Sequence, residues 1–164
     1  MVRAIAAGEG GRLREIRLAS LRHDPRAFAS TLADELRSPS AWWTGWAALS
    51  QEGVTQRTFV ACDAADAWHG LALVRLDAER PGVAVINAMW VAPERRRRGL
   101  SRALCEACAG WAAGAGAASL VLEVVEGNLA ALSAYEAFGF AVTGQTTAVV
   151  GGHEVRELVL ARAL

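Results

Sequence analysis

Met89-Trp90-Val91-Ala92-Pro93-Glu94-Arg95-Arg96-Arg97-Arg98-Gly99-Leu100-Ser101-Arg102-Ala103-Leu104 passes from an apolar run through an arginine-rich turn into a helical pattern. Pro93 ends the run by withholding a ladder donor, and Gly99 permits the tight backbone of a helix entrance. Beyond it Leu100, Ala103, Leu104, Ala107, Cys108, Trp111 and Ala112 recur at helical spacing. The stretch reads as strand, loop, helix. The first turn of a helix has free N–H groups at the positive end of the dipole, so it can hold a phosphate, here assisted by four arginines. Taken alone, an arginine run is more often the mark of a solvated surface. The loop lacks the Gly-Lys-Ser/Thr ending of a nucleoside-triphosphate loop, so nothing in it asks for a magnesium-bound nucleotide.

The chain has 164 residues, enough for one domain over 1–164 that buries about two thirds of its unfolded surface. Its formal net charge is zero, so the arginines belong to no basic face and generic nucleic-acid binding is disfavoured. All 17 basic residues are arginine, which leaves no lysine for a Schiff base. Cys62, Cys105 and Cys108 are an odd set with no secretory leader ahead of them, predicting reduced thiols in a cytoplasmic protein. Cys105 and Cys108 form a Cys-x-x-Cys inside the predicted helix with no second pair to complete a zinc site, so no metal is expected. No apolar run reaches the roughly 18 residues of a membrane span.

Around the central stretch the pattern alternates in period. Val2 to Ala6 suggests a short strand ended by Gly8, Gly10 and Gly11, and Leu13, Ile16 and Leu21 a helix that stops at His23-Asp24-Pro25. Ser30 or Thr31 caps a second helix. Ser38 as N-cap with Pro39 at N1 opens a third, carrying Trp42, Trp43 and Trp46. Strands then follow at Thr58 to Cys62, Trp68 to Leu76 and Ala84 to Val91. After the arginine turn and its helix, Ser119 to Val125 is nearly continuously apolar, as in a strand buried on both faces. Asn128 caps a helix through Phe138, Gly139 closes it, and strands at Ala141 to Val149 and Val155 to Ala161 form a hairpin through Gly151-Gly152.

The element order, the Arg96-x-x-Gly99-x-Ser101 loop and the segment Leu122-Glu123-Val124-x-x-Gly127-Asn128 followed by Tyr135-Glu136-x-Phe138-Gly139-Phe140 resemble the GNAT superfamily of acyl-CoA-dependent N-acetyltransferases. The resemblance covers about residues 2 to 162. Ser101 stands where the family loop carries Gly or Ala, a mild departure because serine is small. The implied fold is α+β: a mixed, largely antiparallel sheet of about seven strands flanked by helices on both faces, with strands 4 and 5 splayed apart. The implied co-substrate is acetyl-CoA. Its pyrophosphate would be held by Arg96, Arg97, Arg98, Gly99, Leu100 and Ser101, its pantetheine by the backbones of Met89 and Val91, and Asn128 would reach the coenzyme.

The family keeps its general acid at Tyr135. A phenol with a reference pKa of about 10 is protonated at neutral pH and can give its proton to a departing thiolate. The fourth strand offers no carboxylate, and some family members that acetylate protein N-termini resemble this chain in a glutamate at Glu123, making it the expected base. A carboxylate buried in an apolar strand suits proton acceptance. Phe28, Ser30, Thr31, Trp42 and Trp43 lie in the helical region that faces the acceptor in the family. The expected partner is an amine acceptor, a small molecule or a protein N-terminus, with no nucleic acid and no membrane; a homodimer is left open. A non-catalytic acyl-CoA sensor on the same fold is the alternative, and an arginine contact to nucleic acid ranks last.

Overall fold

The computed structural model describes residues 1–164. The period-two segments become seven strands of one sheet: β1 (Val2–Ala4), β2 (Gln56–Cys62), β3 (Trp68–Leu76), β4 (Val83–Val91), β5 (Ser119–Val125), β6 (Ala141–Val150) and β7 (His153–Ala163). Their spatial order is β1-β2-β3-β4-β5-β7-β6. Every neighbouring pair is antiparallel except β4 and β5, which run parallel because the helix after the arginine turn carries the chain across.

The helices are α1 (Gly10–His23), α2 (Leu32–Leu36), α3 (Ser40–Glu52), α4 (Leu100–Gly114) and α5 (Leu129–Ala137). The sheet separates two apolar cores. On one face Leu104, Cys105, Cys108 and Ala112 of α4 pack on Ala72, Val74, Leu120 and Leu122, with Leu132 and Tyr135 of α5 against the same cluster. On the other, Leu13, Ile16 and Leu21 of α1 meet Trp43 and Ala47 of α3 over Val60, Leu71 and Trp90. Both thiols of the Cys-x-x-Cys are in the first core, and burial pushes Cys105 up to about 11 and Cys108 well above its ordinary value. Neither is a thiolate at neutral pH.

Three local expectations change. Gly10 does not end the first strand; it opens α1, where an added Cβ would lie 2.9 Å from the Trp43 carbonyl oxygen and 3.0 Å from the Thr44 backbone. α3 begins one residue later than its Ser-Pro signal suggested, with an extended Pro39 as N-cap. β5 is not covered throughout: Leu120, Val121, Leu122 and Val124 are buried, but Glu123 is exposed.

The cause of that exposure lies in β4. Ala88 takes a left-handed φ of 53°, and the β3–β4 register shifts between Leu71 and Leu73. A bulge of this kind bends its strand. β4 and β5 accordingly pair only through Val83–Val85 and Ser119–Val121, and then diverge.

Candidate active site

Two cavities meet where β4 and β5 part. The larger, about 380 Å³, runs from the arginine turn along Val91, Trp90 and Met89, with Leu100, Ser101 and the α5 residues Ala130, Ala134 and Phe138 along its walls. The smaller, about 120 Å³, is lined by Ile86, Asn87, Ala88, Glu123, Val125 and Glu157 among others. Ala27, Phe28, Met89, Asn128, Ala131 and Tyr135 border both, so the two form one cleft with Tyr135, the only tyrosine in the chain, at the junction.

At the open end of the larger cavity, Gly99 caps α4 with φ 77° and no side chain closes the cap, which leaves the N–H groups of the first turn free. Arg97 is left-handed at φ 60° although it has a Cβ, a strained backbone of the kind found at ligand sites. Arg95, Arg96, Arg97 and Ser101 line the wall, whereas Arg98 and Gly99 belong to the turn without reaching it. Arg96 is fastened in place: its Nε donates to the Val91 carbonyl at 2.9 Å, and its terminal nitrogen donates to the Asp24 carboxylate. Asp24 also accepts from Trp90 Nε1 at 2.7 Å. The Val91 carbonyl, expected to meet a ligand, therefore has a partner within the protein. From Ile86 onward the side of β4 facing β5 has no strand partner, and Met89 lies on that free stretch. Asn128 caps α5, its Oδ1 accepting from the Ala131 N–H at 3.2 Å.

The Tyr135 ring is held edge-on by Phe138 and Phe140, at centroid distances of 6.2 and 5.8 Å. Burial pushes its phenol well above its ordinary value, and the nearby Cys105 and Cys108 add to the effect. It remains a proton donor across the neutral range.

The buried carboxylate of the cleft is not Glu123 but Glu157. Glu157 is 5% exposed, and burial first, then the charge of Glu123, raises its pKa. It pairs with Val125 across β5 and β7, which places it diagonal to Glu123 on the same sheet face. Glu123 lines the chamber from an exposed position, because β4 has already left its side. The pattern held a signal for Glu157: it occupies the same strand phase as Val155 and Val159, where an aliphatic residue is expected. Asp24 was legible only as part of a helix stop.

Of the five residues expected to face an acceptor, Phe28 alone lines the cleft. Ser30 bridges an ion pair instead, accepting from Arg17 at 2.6 Å and donating to Glu35 at 2.7 Å. The Arg17 guanidinium lies 4.6 Å above the Phe28 ring, so Ser30 supports Phe28 at one remove. Thr31 caps α2 through the Asp34 N–H at 3.1 Å. Trp43 is 1% exposed in the α1/α3 core, stacked on Trp46, while Trp42 is 57% exposed on the outer side of α3. One helical face buries Trp43, and Trp42, the residue before it, points away.

A sequence profile of the acetyltransferase (GNAT) family matches residues 18–140. The chain belongs to this family. It is similar to the streptothricin acetyltransferase of Streptomyces lavendulae, 37% identical over 101 residues, which are 62% of this chain and 53% of that protein. The chain thus spans about half the length of that relative. The crystal structure of a nourseothricin acetyltransferase is 29% identical and superposes with a TM-score of 0.60 over 66% of this chain and 65% of the other. A GNAT acetyltransferase from Streptococcus pneumoniae shares the fold from end to end, at a TM-score of 0.82 with 18% identity, covering 100% of this chain and 99% of that one. The splayed β4 and β5 of the GNAT fold are thereby accounted for, and no helix is long and apolar enough to cross a membrane.

Proposed function

We propose that this chain is an acetyl-CoA-dependent N-acetyltransferase acting on a primary amine. The observation that carries the reading is one cleft that joins a free, arginine-flanked helix N-terminus to a smaller chamber, with a protonated phenol where they meet. GNAT acetyltransferases use acetyl-CoA, and the residues present fit it. The first-turn N–H groups of α4 with Arg96 and Arg97 would hold the pyrophosphate, Arg98 assisting from the rim and Gly99, Leu100 and Ser101 giving close backbone approach. The unpaired edge of β4 at Met89, with Asn128 opposite, would hold the pantetheine arm, while the Val91 carbonyl stays bonded to Arg96. The thioester supplies an activated acyl group.

Tyr135 then stands ready to protonate the departing sulfur. Phe28 lines both parts of the cleft and gives it an apolar wall beside the reacting atoms. The names of the streptothricin and nourseothricin enzymes support a small-molecule amine over a protein N-terminus. Holding amine and thioester in one cleft supplies much of the rate without a covalent enzyme intermediate.

The test mixes the protein with acetyl-CoA and a panel of amines and follows free thiol. Release with at least one amine is expected, and Tyr135→Phe should lower kcat by about 10²-fold while coenzyme A still binds. Coenzyme binding with no thiol release across the panel would leave a sensor on the same fold and overturn the enzyme reading.

A further inference from the structure

We infer that the smaller chamber is an acceptor site for an amine bearing a second cationic group, in which Glu157 takes the proton of the reacting nitrogen and Glu123 faces the second charge. The inference rests on the acetyltransferase reading and deepens it.

Glu157 carries the argument. Its residue is 5% exposed, it lines the chamber with Tyr135, and no group of the protein donates to its carboxylate. Its oxygens open onto the chamber rather than being sealed in the core, so a carboxylate with no protein partner in an otherwise apolar strand phase is free to meet a cation supplied from outside the chain. The adjacent Arg156 is turned outward and pairs with Glu126 at 3.1 Å. No arginine or histidine lines the chamber; besides Tyr135 and the two glutamates its polar side chains are Asn87 and Asn128. Glu123 is the second carboxylate on its wall, diagonal to Glu157 across β5 and β7. Diagonal positions in an antiparallel pair lie about 7–8 Å apart, a spacing that a four-carbon diamine bridges.

The chemistry balances. The acceptor's ammonium gives one proton to the Glu157 carboxylate, and its freed lone pair forms a C–N bond to the thioester carbonyl carbon as the C–S bond breaks. The sulfur takes the Tyr135 proton, the second proton from the nitrogen restores the phenol, and Glu157 releases its proton to solvent. Ammonium and thioester become amide, thiol and one proton.

The experiment compares 1,4-diaminobutane, butylamine and 4-aminobutyrate with the full chain and acetyl-CoA. kcat/KM is expected to fall in that order. Glu157→Gln should lower kcat by about 10²-fold on each amine, with partial recovery in Glu157→Asp. Glu123→Gln should raise KM for the diamine and narrow its advantage over butylamine by about fivefold, the scale of a part-exposed ion pair. Calorimetric binding of coenzyme A verifies that each variant is folded. Thiol release without preference for the diamine, or a Glu157→Gln enzyme at the wild-type rate, overturns this inference and leaves the acetyltransferase reading standing. No thiol from any amine removes both.

Discussion

At the scale of the residue, Glu157 places a carboxylate where β7 would otherwise bury an aliphatic side chain. The groups facing it are Glu123 from β5 and Tyr135 from α5, and neither supplies a positive charge. Its folded-state pKa is raised, so ionising it opposes folding: the stability it leaves intact is full below the unfolded carboxylate value of about 4 and is lost as pH rises through the folded value. Glu157→Gln removes that loss. Its melting temperature should match the parent near pH 4 and exceed it increasingly toward pH 8, as scanning calorimetry would show. Equal melting temperatures at both ends would mean that the carboxylate has found a partner. Removing the group should thus stabilise the protein while slowing the chemistry, the trade expected of a site held in an unfavourable state for function.

At the scale of the element, α1 and α3 touch backbone to backbone at Gly10. Alanine there gains about 1 kcal/mol in helix propensity, but its Cβ meets the Trp43 carbonyl oxygen and the Thr44 backbone, which cannot rotate away. Overpacking of this kind costs about 1–3 kcal/mol, so Gly10→Ala should be net destabilising in urea unfolding. A stabilised variant would show that the two helices can slide. The same contact separates the two meanings of the Gly8-Gly10-Gly11 signal: composition reports the freedom of the backbone, and only the neighbouring helix shows why a side chain is excluded. The ends of α2 and α5 were legible because Thr31 and Asn128 cap within their own turns. The indoles of α3 were not, since spacing distinguishes faces of a helix but not which face meets the sheet.

At the scale of the whole molecule, the strand β1, the start of α1 and the β2–β3 turn are tied by Arg3 and Arg12 with Glu9 and Asp66, at nitrogen–oxygen distances of 2.7 to 2.9 Å. Hydrogen bonding to Arg3 holds both Glu9 and Asp66 below their ordinary carboxylate range. Depressed carboxylates stabilise the fold above their unfolded pKa values of about 4, and that stability goes as pH falls through the lower folded values. The melting temperature should therefore drop from about pH 4 downward, and Arg3→Ala should flatten the drop. A slope unchanged in Arg3→Ala would assign acid unfolding to carboxylates elsewhere in the chain.

The sequence by itself determined the order of elements, the glycine that opens α4, the caps of α2 and α5 and the family to which the loop and the Asn128–Tyr135 segment belong. Each of these is written in residues a few positions apart, where backbone geometry is fixed by local sterics and hydrogen bonds. Tertiary structure alone decided where β4 leaves β5, that Glu123 is exposed rather than buried, and that Glu157 faces the same chamber as Tyr135. Periodicity shows which side of a strand a residue takes; what covers that side depends on elements brought together from distant parts of the chain.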